Sequence, residues 1–294
     1  MKALYFKVAD LPFKVTVPEH WDFAQLLPAF DAFYTQACPE EKLLFAADFN
    51  NGALPEEDEE KTVVVSSDND MGHLELQRTD SHYWGELYFD PSKQHRWVSD
   101  KEFRSIHVQV HESDAWFSQA VTSILRLTFS QSILQVKGIS IHASCVALDS
   151  KGYLFLGKSG TGKSTHAKMW LQTYPDAELL NDDNPALRIV DGECLVYGTP
   201  WSGKTPCYKQ RWLPVQAIVR LEQAPQNAFQ PMDEIEAFSA VLPSCSVIQS
   251  DENLQDLLYD TLIEITSTVK VGWMKCLPCP EAAVCCAEGI KNIM

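Results

Sequence analysis

The sequence predicts an α+β / α/β chain in which a smaller β-rich N-terminal domain, residues 1–112, precedes a domain of residues 113–294 organised around a glycine-rich loop. Three observations carry that expectation. Short segments that alternate apolar with polar residues crowd the first third. At Ser113 the texture changes to apolar residues at helical spacing. Further on, GKSGTGKS at 157–164 lies between an apolar run and a helical stretch.

The first domain is read from ALYFKV (3–8), KTVVVSS (61–67), HLELQR (73–78), HYWGELYF (82–89) and FRSIHVQV (103–110), all of strand character, with one helix near Trp21 to Thr35. NNGALPEEDEE (50–60) and DPSKQ (90–94) are acidic or turn-forming and predict exposed loops. SDAWFSQAVTSILRLTFSQSILQ (113–135) predicts a long amphipathic helix with Asp114 in its first turn, stopped at Lys137-Gly138.

Ile139 to Leu148 then reads as a strand, Asp149-Ser150-Lys151-Gly152 as a four-residue turn and Tyr153 to Leu156 as the returning strand. That register sets Leu148 against Tyr153 and His142 against Ser159, so His142 arrives at the rim of the loop. Gly157, Lys158, Ser159, Gly160, Thr161, Gly162, Lys163 and Ser164 fit G-x-x-x-x-G-K-[ST] in full. The glycines let the backbone curl so that N–H groups converge on phosphate oxygens, Lys163 reaches the outer phosphates, and the Ser164 hydroxyl is a magnesium ligand. Thr165 to Thr173 continues as a helix whose N-terminus favours an anion. The plain counterpart is a glycine-rich turn with no ligand.

In ELLNDDNPALRIVDGECLVYG (178–198) a strand leads to Asp182 and Asp183, and a hairpin turns at Asp191-Gly192. Carboxylates beside such a loop are where phosphoryl transfer needs a metal ligand and a hydroxyl-activating base. An Asp-Asp pair is also an ordinary turn, and a lone strand histidine such as His142 is also simply structural. Trp201, Lys204, Lys209, Arg211 and Trp212 in GTPWSGKTPCYKQRW (198–212) form a basic and aromatic cluster that either meets phosphates or is a solvated loop.

Composition limits the partners. With 40 Asp and Glu against 24 Lys and Arg, the formal charge of −16 argues against nucleic acid or an anionic membrane as a main partner. No apolar window is long enough to span a bilayer, and MKALYFKVADLPFK lacks the apolar core of a signal peptide, so the expected compartment is the cytoplasm. The nine cysteines are then expected mostly as free thiols. Cys276, Cys279, Cys285 and Cys286 superficially suggest a zinc knuckle, but the last two are adjacent and fall in a helix predicted from Pro280 onward.

The strand bearing His142, the hairpin, GKSGTGKS and LLNDDN, over about residues 113–240, together resemble the catalytic domain of HPr kinase/phosphorylase. Its nucleotide-binding core is similar to that of phosphoenolpyruvate carboxykinase. The resemblance implies a P-loop core with a mixed sheet, in which a hairpin before the loop is expected. It implies ATP and Mg2+ as cofactors, Lys163 on the phosphates, Ser164 and Asp182 as metal ligands, Asp182 and Asp183 toward the acceptor hydroxyl, and His142 near the transferred phosphate. HPr kinases are oligomers, so a homo-oligomer is an expectation as well. Thr165 stands where HPr kinases carry a glutamate, and GTPWSGKTPCYKQRW replaces their later glutamate-containing signature. A second metal and reverse phosphorolysis are therefore not carried over. Nor does the C-terminal arginine of the family have a counterpart, since only Arg211 and Arg220 follow Arg188.

The expected function is an ATP-dependent kinase that transfers the γ-phosphate to a hydroxyl, on a serine of a protein or peptide or on a small molecule. The alternatives are a nucleotide-binding regulatory protein with little turnover, and a carboxykinase acting on an oxaloacetate-like acid.

Overall fold

The computed structural model describes residues 1–55, 60–69, 72–203 and 205–293, and shows a mixed α and β chain of two compact units. Part of the predicted acidic loop at 50–60, and Lys204, lie outside the described residues.

The first unit comprises 1–136 with 247–255. Its strands are β1 (Lys2–Val8), β2 (Leu11–Val17), β3 (Ala46–Asp48), β4 (Thr62–Asn69), β5 (Gly72–Arg78), β6 (His82–Tyr88), β7 (His95–Asp100) and β8 (Ser105–Gln109). They form one sheet in the order β1-β2-β3-β8-β7-β6-β5-β4, parallel at β2–β3 and β3–β8 and antiparallel elsewhere. Phenylalanines fill its core: Phe6 stacks on Phe13 at 5.6 Å, and Phe13 on Phe45 at 4.5 Å. The helix expected at Trp21 to Thr35 is instead a short α1 (Phe23–Leu26) followed by a 3-10 stretch, Pro28–Phe33. Pro28 is the cause, since the residue before a proline is driven out of the helical region, and Leu27 has φ −131° and ψ 68°.

Helix α2 (Phe117–Ser132) belongs to this unit, which corrects the expected boundary at 112/113. Its ties explain why. Trp21 meets Phe117 at 4.8 Å, the Ser118 hydroxyl donates to the Leu26 carbonyl, and the Ser132 hydroxyl donates to the Phe103 carbonyl. The buried His95 and Asp114 side chains, 3.0 Å apart, fasten β7 to the approach of α2.

The second unit comprises 137–246 with 256–294. Its strands are β9 (Gly138–Ser140), β10 (Ala143–Leu148), β11 (Lys151–Leu156), β12 (Glu178–Asp183), β13 (Ala186–Val190), β14 (Glu193–Tyr197), β15 (Trp212–Gln223), β16 (Ala228–Pro231) and β17 (Lys270–Cys276). Helices α3 (Lys163–Thr173), α4 (Glu234–Val241), α5 (Glu252–Thr268) and α6 (Pro280–Lys291) complete the chain, α5 starting in the first unit. The sheet runs β12-β10-β11-β15-β14-β13-β9, with β17 also beside β15 and β16 beside β17. Strand β11 has an antiparallel neighbour, β10, on one side and a parallel one, β15, on the other. The sheet is therefore mixed. On one face Phe155, Val219, Leu221 and Met274 pack with Trp170 of α3 and with Ala282, Ala283 and Cys286 of α6. Cys285 and Cys286 lie within α6, as the Pro280 start predicts.

The β10–β11 hairpin is tighter than expected. Leu148 pairs with Lys151 and Ala143 with Leu156, so the register is shifted by two residues from the predicted one. Asp149 at φ +51° and Ser150 at φ +57° form a two-residue turn whose twist suits a hairpin. Gly152 is a glycine for another reason. A Cβ there would stand 2.4 Å from Val196 Cγ1. No helix among the described residues is long and apolar enough to cross a membrane.

Candidate functional site

Strand β11 delivers the glycine-rich loop to one edge of the sheet. The turn after Leu156 needs a left-handed backbone at Gly160, φ +80°, and at Gly162, φ +106°. Only glycine adopts these without strain. Helix α3 starts at Lys163, and its N-cap, Gly162, supplies no side-chain cap. The first-turn amides have no carbonyl one turn earlier, so they stay open to an acceptor. The loop's own carbonyls are partly engaged. Thr161 N–H donates to Lys158 O at 3.0 Å, and the Gln223 amide donates to Gly160 O at 3.1 Å and to Thr161 O at 3.3 Å.

Lys163 is the buried cation of the site, 8% exposed, with its Nζ donating to Gly157 O at 3.0 Å. Burial pushes its pKa below the ordinary lysine value, against the pull of Asp183 and then Asp182, which favours the charge. Two carboxylates are thus close enough to act on the ammonium.

The carboxylates arrive on β12, antiparallel to β10: Ser144 pairs with Asp182 and Ala143 with Asp183. Since Ala143 also pairs with Leu156, the end of β12 lies in the row that precedes the loop. Asp182, 5% exposed, accepts from the Ser144 hydroxyl. Asp183 is half-buried. Its Oδ1 lies 3.0 Å from His142 Nδ1, and its Oδ2 accepts from the Asn184 amide. An ionised carboxylate only accepts, so the imidazole donates from Nδ1. His142 itself is held by its backbone N–H, which donates to Ser244 O at 2.7 Å.

Asn181 organises the turn that carries both aspartates. Its Oδ1 accepts from the backbone N–H of Asp183 and of Asn184, and its Nδ2 reaches Thr199 O and Trp201 O. Gly203 N–H donates to Asp182 O, so the start of the 198–212 segment lies against the aspartates.

The described residues therefore bring Gly157 to Ser164, His142, Asp182 and Asp183 to one sheet edge, with Ser164 and Thr165 exposed on the first turn of α3. The basic cluster separates. Lys209 and Arg211 both pair with Glu178, at the opposite end of β12 from the aspartates, Trp201 is buried beside Asn181, and Trp212 is exposed. Lys204 lies outside the described residues.

Comparison with known proteins bears on the fold alone. No family model and no curated protein matches the chain. Among solved structures, the chain is similar to the Hpr(Ser) kinase/phosphatase from Coxiella burnetii, with 12% identity over 52% of this chain and 94% of that one, at a TM-score of 0.31.

Several residues of the site carry no advance signal in the sequence. Gln223 stands more than sixty positions from the loop whose carbonyls it binds. Ser144 is one of many strand serines until β12 sets it beside Asp182. Asn181 is different, because an asparagine preceding an Asp-Asp pair is the residue type that bonds backbone amides in a turn.

Proposed function

We propose that the chain is an ATP-dependent kinase that transfers the γ-phosphate to a hydroxyl, of a serine on a protein or peptide or of a small molecule. One observation carries the proposal: a buried lysine and two aspartates converge on a glycine-rich loop that opens into a helix N-terminus. Amide donors and an ammonium suit a polyphosphate, and a carboxylate with a hydroxyl suits a hard divalent cation. In this reading the loop amides and Lys163 hold the phosphates, while Ser164 and Asp182 hold Mg2+. The metal, when bound, neutralises charge on the phosphate oxygens.

Asp183 is assigned the acceptor's proton. Its more exposed carboxylate is oriented by His142 and Asn184, whereas Asp182 is enclosed and engaged by Ser144. Lys163 keeps the outer phosphate fixed against the hydroxyl, so that rate comes from positioning and charge. Asp183→Asn is expected to retain ATP binding and to lose transfer by about 100-fold or more, the usual scale of a general base. Asp182→Asn is expected to weaken Mg2+-dependent binding as well. If both variants transfer phosphate at the parental rate, the roles given to the two aspartates are wrong; if the parent binds ATP and phosphorylates neither serine peptides, small-molecule hydroxyls nor water, the kinase assignment is wrong.

A further inference from the structure

One row of paired residues crosses the second unit's sheet at the level of the loop: Asp183, Ala143, Leu156, Arg220 and Trp273, on β12, β10, β11, β15 and β17 in turn. In-register neighbours project to the same face, and strands lie about 4.8 Å apart. Asp183 and Trp273 thus stand about 10 Å to either side of the strand that feeds the loop. Beside the loop on the Trp273 side is a cavity of about 500 Å³, lined by Lys158 to Thr161, Arg220, Glu222 and Trp273. Cavities of roughly 300–1,000 Å³ are of ligand size.

Trp273 has no part in the core. Its strand neighbours Gly272 and Met274 are buried, and Met274 packs in the cluster with α3 and α6, whereas Trp273 is 37% exposed on the opposite face. Arg220 is fixed beside it by donating to Ala240 O at 2.8 Å. Gln223 couples this wall to the loop through Gly160 O and Thr161 O.

We propose that this cavity is the subsite for a nucleoside base, stacked on Trp273, with Arg220 and Glu222 as the polar groups at its rim. The inference rests on the phosphate-binding role of the loop, and it adds to the ATP reading the place where the base is held. A ligand anchored by its phosphates on the loop, with its reacting end at Asp183, directs its other end to β15 and β17. An aromatic platform there binds a π-face of any base.

The test compares ATP with inorganic tripolyphosphate, each with Mg2+, by calorimetry on the parent, Trp273→Ala and Trp273→Leu. ATP is expected to bind the parent more tightly than tripolyphosphate. Both variants should weaken ATP by about 5- to 150-fold, the range of one lost base–aromatic stack, and leave tripolyphosphate within about twofold. Retained tripolyphosphate binding also shows that the variant is folded. Equal affinities of the parent for the two ligands overturn the base subsite and leave the loop's role standing. So does unchanged ATP binding in the variants, or equal weakening of both ligands. Failure of the parent to bind either ligand overturns the phosphate role and the base subsite together.

Discussion

Lys163→Met is the sharpest perturbation of the loop. In the parent the ammonium is nearly enclosed and donates to Gly157 O, which leaves two of its three protons for a ligand. A hydrogen bond from a charged donor contributes about 1.5–3 kcal/mol. One such bond to a phosphate oxygen is therefore a factor of about 10 to 150 in affinity, since about 1.4 kcal/mol is tenfold. Stability should respond much less. Removing the charge ends the penalty of burying it, while Gly157 O loses its donor, about 1 kcal/mol, and Asp182 and Asp183 lose a countercharge. These effects oppose each other, so the melting temperature should move by about 3 °C or less. Calorimetry with Mg2+ and tripolyphosphate, beside a thermal melt, reads both quantities. A variant that melts like the parent and binds tripolyphosphate within twofold of it would show that Lys163 does not face the anion.

The same lysine sets a pH dependence. Its folded-state pKa is held below the ordinary 10.5, so triphosphate affinity should fall as pH rises through that lowered value, with protons taken up on binding in the same window. Calorimetry in two buffers of different ionisation enthalpy measures the uptake, and its absence at every alkaline pH counts against the assignment. His166 supplies an acid limit: burial holds its pKa down to about 4 from 6.5, and its Nε2 accepts from Trp170 Nε1–H at 3.1 Å. The unfolded chain takes the proton that the folded chain refuses, so stability should fall by roughly 3 kcal/mol between about pH 6.5 and 4 and level off below that. In denaturant titrations His166→Gln should lose less over that window, and an identical slope would refute the cause. Gly289 in α6 is a packing test, because a Cβ there would stand 2.2 Å from Phe229 Cγ and 2.6 Å from Phe229 Cβ. Overpacking, about 1–3 kcal/mol, should outweigh the helix gain of about 1 kcal/mol from Gly289→Ala, and the sign should reverse in a Phe229→Ala background.

What could be read from the sequence was local chemistry. The loop, the helix after it, the paired strands before it and the two aspartates each announce themselves within a few residues. What could not be read depends on contacts from far along the chain. Gly152 passes for a turn residue because its actual constraint, Val196, is on another strand. Strand β2 contains Pro12 and β3 has three residues, so neither has the pattern of a strand until paired. The stripe on α2 shows that one face is buried and says nothing of which core receives it. Lys209 and Arg211 make a plausible phosphate clamp in sequence, yet Glu178 holds both at the wrong end of β12.

The hairpin before the loop has a structural reason that the loop motif alone does not supply. Strands β11 and β12 both run antiparallel to β10, hence parallel to each other, and β15 and β17 run parallel to β11. Four strands therefore end at the edge where ligands of α/β sheets are held, whereas β10, between β11 and β12, begins there. That reversal is what lets His142, the residue before β10, reach Asp183, a residue that ends β12, at 3.0 Å. With a parallel strand in the position of β10, the residue before it would lie at the far edge of the sheet, about six residues or roughly 20 Å away. The reversed strand is thus the device that places an imidazole beside a carboxylate at a loop whose other neighbours all contribute strand ends.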